Sequence, residues 1–114
     1  MALQKDVRVR FRRMQPNDEL FGSAQKWAAA IAEATLWAPS LEVEVLVDRC
    51  APQWGASTTV HVELRIGDQR VVEAAQRQDP HEALQESFKA AAQRIREYQS
   101  LVEMSTPCAG LYLG

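Results

Sequence analysis

The sequence predicts an α+β domain of order β-α-β-β-β-α, one four-stranded mixed sheet with two helices packed on one face. Three observations carry this. Several runs alternate apolar and polar residues, as strands do when successive side chains point to opposite faces. Two longer runs repeat apolar residues every three or four positions, the stripe of a helix with one buried face. Turn residues separate the runs at Gln15–Glu19, Gly67-Asp68 and Gln78-Asp79.

The first strand is Val7–Arg12, with Val7, Val9 and Phe11 facing a core and Arg8, Arg10 and Arg12 facing away. In the turn that follows, Asn17 or Asp18 can cap a helix. Its stripe is Leu20, Ala24, Trp27, Ile31 and Ala34, and the helix is expected to run to about Trp37, where Pro39 stops it. Leu41–Val47 alternates again. Asp48–Ser57 contains Pro52 and Gly55 and reads as a loop. Thr59–Ile66 and Arg70–Ala75 flank Gly67-Asp68, a tight hairpin. Asp79-Pro80-His81-Glu82 then combines an N-cap, a first-turn proline and a glutamate three residues on. The stripe Leu84, Phe88, Ala91, Ile95, Tyr98 and Val102 follows, until Ser105-Thr106-Pro107 ends the helix.

A strand-helix-strand unit crosses over right-handedly to make its strands parallel, and the hairpins that follow are antiparallel. Both helices then share one face of the sheet. The other face should be open and polar, carrying Arg8, Arg10, Arg12, Glu42, Glu44, His61, Glu63, Arg65 and Glu73. One domain is expected over residues 1–104, with a short apolar tail over 105–114 and no internal repeat.

With 114 residues, the chain is long enough for one core without a disulfide or metal staple. Hydrophobic content of 46% and charged content of 25% exclude a disordered chain, a collagen-like repeat and a disulfide scaffold. Thirteen Lys and Arg against fifteen Asp and Glu leave a net charge of −2, the opposite of the balance usual in a domain that wraps phosphates, which weighs against nucleic-acid binding. Cys50 and Cys108 are far apart and, with His61 and His81, lack zinc-ligand spacing; they read as free thiols in a reducing cytosol. No metal or cofactor is expected. No apolar segment follows Met1, and the most apolar stretch, Trp27–Ala38, is short and interrupted by Glu33. The expected location is the cytoplasm, away from membranes.

The sequence carries no nucleophile elbow, phosphate-cradling glycine loop or zinc-binding HExxH. His61 and Glu63 lie two apart on one strand face, but a general acid–base pair also needs a pocket and a third group to orient the imidazole. Neither an enzyme nor a small-molecule substrate is expected. The sharpest charge feature is the run from Lys5 to Arg13: Lys5, Arg8, Arg10, Arg12 and Arg13 against one acid, Asp6. These cations either neutralise phosphates or pair across strands with Glu42, Glu44 or Glu63. Trp27 belongs to the core, and Trp37 sits where it can close the core's edge. Trp54 is a loop tryptophan that either stacks on a base or packs over the sheet edge.

The element order, with Gly67 at the turn, Gln78-Asp79 at the junction and Ala83-Leu84 in the second helix, resembles the ribosome hibernation-promoting factors, or ribosome-associated translation inhibitors, in their short single-domain form. The resemblance covers roughly residues 5 to 102. It implies a protein that binds the small ribosomal subunit and its rRNA, contacts phosphates through Lys and Arg, and inhibits translation in resting cells. Carried onto this chain, it adds Arg77, Lys89, Arg94 and Arg96 to Arg8, Arg10, Arg12 and Arg13 as RNA-binding candidates. Where members of that family are Lys/Arg-rich along the exposed face of the second helix, this chain has Ala90, Gln93 and Glu97 among its remaining cations. The alternative is a protein-interaction module of the same fold that meets a partner or a second copy through its open sheet face, a strand edge or Leu111-Tyr112-Leu113.

Overall fold

Valine-rich alternation becomes a four-stranded sheet in a computed structural model that describes residues 4–36, 38–50 and 57–105, with side chains for 6–36, 38–50 and 57–97. The elements are β1 (Gln4–Arg12), α1 (Asp18–Ala34), β2 (Ser40–Cys50), β3 (Ser57–Ile66), β4 (Gln69–Arg77) and α2 (Pro80–Ser105). The strands lie in the order β1-β2-β3-β4, β1 parallel to β2 and the other neighbours antiparallel. The predicted α+β class and element order are therefore what the chain adopts.

Leu41, Val43, Val45 and Val47 of β2 and Val60, Val62, Leu64 and Ile66 of β3 all point to the helix side and are buried. Leu20, Ala24, Ala28 and Ile31 of α1 and Ala83, Leu84, Phe88, Ala91 and Ile95 of α2 cover them. Burying one such aliphatic or aromatic side chain contributes about 1.5–3 kcal/mol. Trp27 stacks on Phe88 with ring centroids 5.9 Å apart, joining the two helices.

Local chemistry sets the element ends. Asn17 caps α1, its side chain accepting from the Leu20 amide at 3.0 Å. α2 starts as its sequence dictates, with the Asp79 carboxylate accepting from the His81 amide at 2.9 Å and Pro80 in the first turn. Gly67 takes a φ of 61° at the first central position of the two-residue hairpin turn, which favours glycine.

Three expectations are corrected. α1 stops at Ala34, not Trp37: Thr35 leaves the helical backbone (φ −122°, ψ 31°), its amide donates to the Ala32 carbonyl at 3.2 Å, and its buried hydroxyl donates to the Ile31 carbonyl at 2.8 Å. Asp48 does not begin a loop: β2 continues to Cys50, and Asp48 pairs with Arg12 on one side and Thr59 on the other. Glu73 is not on the open face. The two-residue turn sets Ile66 opposite Gln69, so Glu73 falls opposite Val62 and shares the helix face. Trp37, Trp54, Cys108, the side chains of Lys5, Tyr98 and Val102, and the tail beyond Ser105 lie outside the described residues.

Candidate nucleic-acid interface

Period-two geometry fixes what the open face presents. Register places Arg8 beside Glu44, Arg10 beside Leu46 and Arg12 beside Asp48, and continues these cross-strand rows with Glu63, with His61 and Ala74, and with Thr59 and Gln76. Among the described residues, no helix packs over this side.

The most concentrated charge is at the end of β1. Asp48, though on the open face, is only 3% exposed, because two guanidiniums close over it. Arg12 Nε donates to Asp48 Oδ2 at 3.0 Å, and Arg12 Nη2 donates to the same oxygen. Arg13 Nε donates to Oδ1 at 2.8 Å and Arg13 Nη2 to Oδ2 at 2.7 Å. Arg13 thus meets both carboxylate oxygens in the strong bidentate arrangement, while Arg12 directs two N–H groups at the single oxygen Oδ2. The hydrogen bonds from Arg13 and then Arg12 hold the Asp48 carboxyl far below its ordinary range, and Asp48 in turn raises Arg13. Arg13 reaches Asp48 from a left-handed backbone with φ 62°. For a residue with a Cβ that conformation costs roughly 1–2 kcal/mol.

Elsewhere on the open face, cations and acids pair as sheet electrostatics favours. Arg8 bridges to Asp6 at 3.3 Å and to Glu44 at 4.0 Å. Glu63 accepts from Arg70 at 2.7 Å and from Arg65 at 3.2 Å; Arg70 is the main cause of its lowered pKa. On the other side of the sheet Arg94 donates to Glu73 at 2.8 Å, and Arg77 lies 3.9 Å from Glu86.

Of the eight candidate cations, Arg8, Arg12, Arg13, Arg77 and Arg94 are therefore engaged with carboxylates. Arg10, Lys89 and Arg96 have no ion-pair partner among the described residues. The candidates also divide between two surfaces: Arg8, Arg10, Arg12 and Arg13 on β1 and at its end, and Lys89, Arg94 and Arg96 on α2 with Arg77 at the end of β4 beside it. Arg96 lines a groove between the helices, a depression of about 230 Å³ formed with Trp27, Ala30, Ala34 and Ala92. It adjoins a second of about 270 Å³ lined by Ser23, Lys26, Trp27 and Ala30. Lys89 stands three residues before Ala92 and seven before Arg96, on the same flank of α2. Lys26, the one cation of α1, lines this second depression and is not among the eight candidates; nor is Asp48. The signal for Asp48 was the alternation Glu42, Glu44, Leu46, Asp48 continuing past the apparent end of the strand.

His61 and Glu63 share a shallow depression of about 220 Å³ with Glu44 and Arg10, and among the described residues no hydrogen bond orients the imidazole. His61 is flanked across strands by Leu46 and Ala74, which cannot orient an imidazole, and Glu63 is occupied by two arginines. Among the described residues, no helix is long and apolar enough to cross a membrane.

No family model matches the sequence, and no curated protein matches it significantly. Solved structures do match in three dimensions. A ribosomal subunit interface protein from Coxiella burnetii superposes with a TM-score of 0.69 at 7% identity, over 83% of this chain and 98% of that one. The N-terminal domain of Thermus thermophilus Protein Y superposes with a TM-score of 0.66 at 11% identity, over 86% of this chain and 99% of that one. At such identities the likeness establishes a shared fold.

Proposed function

We propose that the protein is a ribosome-associated factor that docks on the rRNA of the small ribosomal subunit and inhibits translation, keeping ribosomes inactive by occupancy and not by chemistry. The observation that carries this reading is the sorting of charge on a fold shared with a ribosomal subunit interface protein. Most surface arginines are paired with carboxylates, whereas among the described residues no acid is paired to Arg96, which lines the interhelical groove, to Lys26, which lines the adjoining depression on α1, or to Lys89 on the same flank of α2. Cations left unneutralised on an acidic protein are available to phosphates, with counterion release supplying the affinity. Such a factor works in the cytoplasm and needs neither cofactor nor metal.

Co-sedimentation with purified small ribosomal subunits at low and moderate salt tests the reading. Binding is expected to weaken steeply with salt, and a Lys26→Glu, Lys89→Glu, Arg96→Glu protein is expected not to pellet. Absence of wild-type binding at low salt would overturn the proposal. One observation favours a protein partner instead: Val72, beside Ala74 on the open face, is half exposed. Recovery of a defined complex through β4, by a chain that ignores ribosomes, would establish that second reading.

A further inference from the structure

We propose that Arg12 and Arg13, held by the buried carboxylate of Asp48, form a clamp for a phosphodiester of an RNA backbone, with Asp48 as its positioning residue. This rests on the RNA-binding reading only for the carrier of the phosphate; the anion site itself is argued from geometry.

One carboxylate is neutralised by one guanidinium. Asp48 has two, both edge-on, so the cluster keeps an excess positive charge at a point where its own acid is almost inaccessible. Asp48 fixes the Nε and Nη2 edge of each arginine. Beyond a weak contact from Arg13 Nη2 to the Cys50 sulfur at 3.6 Å, the outer N–H groups have no protein acceptor among the described residues. Both arginines are more than half exposed, on the sheet face that no helix covers among the described residues. Planar, pre-oriented guanidinium forks suit phosphate oxygens better than a point charge does.

The backbone of Arg13 adds to the case. The chain leaves β1 in a left-handed turn that glycine would adopt without strain, and the strained residue is the one whose side chain completes the cluster. Strain of this kind persists where the surroundings over-determine it, often at ligand clamps. A backbone polyanion fits better than a lone carboxylate because Arg10 follows on the same face. It is roughly 6.6 Å along the strand, two residues at strand rise, and has no ion pair among the described residues.

The test titrates the full chain, labelled with nitrogen-15 in its arginines, with inorganic phosphate and separately with a short RNA duplex. Saturable shifts are expected at the Nε–Hε signals of Arg12 and Arg13 with both probes. Asp48→Asn removes a negative charge, so simple electrostatics demands tighter anion binding; a positioning role demands weaker binding, by about tenfold. Arg13→Gly suits the left-handed backbone, is expected to stay folded, and should lose the site. Equal or tighter phosphate and RNA binding by Asp48→Asn, or wild-type shifts that spare Arg12 and Arg13, would overturn the clamp. Ribosome co-sedimentation separates the two proposals. Shifts at the clamp without ribosome binding reject the docking role alone, whereas ribosome binding unchanged in both variants rejects the clamp alone.

Discussion

The Arg94 guanidinium sits 2.8 Å from the Glu73 carboxylate and bridges α2 to the edge strand β4. The two residues are adjacent only because the hairpin register turns Glu73 toward the helices. Arg94 is thereby a strut between two elements, whereas Arg96, two residues on, lines the interhelical groove. Neighbouring arginines on one helix thus have different work.

Arg94→Glu sets two carboxylates against each other and is expected to lower stability by about 1 kcal/mol. Arg96→Glu should change stability by less than about 0.5 kcal/mol, as an exposed substitution. Urea denaturation of the two single variants checks this, and only Arg96→Glu gives a clean reading of binding.

If the groove holds rRNA phosphates, removing one contacting cation should reduce the slope of log affinity against log salt by about 1. Lys89→Gln and Arg96→Gln, measured separately across a salt series, are expected to do so. Arg65→Gln, whose partner is Glu63, is expected not to.

Asp48 and Glu63 both have carboxyl pKa values lowered by their arginines. Depressed folded-state values stabilise the protein fully above the unfolded values, about 4, and this stabilisation is lost as pH falls through the folded ones. Stability should therefore decline below about pH 4. Asp48→Asn should be less stable at neutral pH and decline less steeply in acid, which thermal unfolding over a pH series would measure.

Phe88 is fully buried and stacks on Trp27. Phe88→Ala is expected to cost about 3–5 kcal/mol, a large part of a small domain's total stability. Chemical denaturation would give the loss, and near-ultraviolet circular dichroism should show a changed Trp27 environment.

The element order is legible in the sequence because each strand has one buried face, and each helix begins at a side-chain cap. Boundaries are less legible. α1 gives way at Thr35, whose hydroxyl bonds to the preceding turn, a stop that the stripe Leu20–Ala34 does not encode. Asp48 is disfavoured in strands, so Pro52 and Gly55 draw the loop too early; its partners Arg12 and Arg13 lie some 35 residues away. Glu73 was within reach, since counting back from the Gly67-Asp68 turn places it opposite the core residue Val62. For the candidate site, the cations are visible as residues, but which of them keep their charge free depends on partners that only the register brings together.

The strand order leaves β1 and β4 as the two rims of the sheet. The β1 rim carries charged side chains, Arg8, Arg10 and Arg12 with the acid Asp6, and charged residues along an edge strand discourage rim-to-rim pairing with a second copy. The β4 rim carries Val72 and Ala74 on the same face, with no such charge row between Arg70 and Arg77. Among the described residues the two rims therefore differ in charge, with β4 the more apolar.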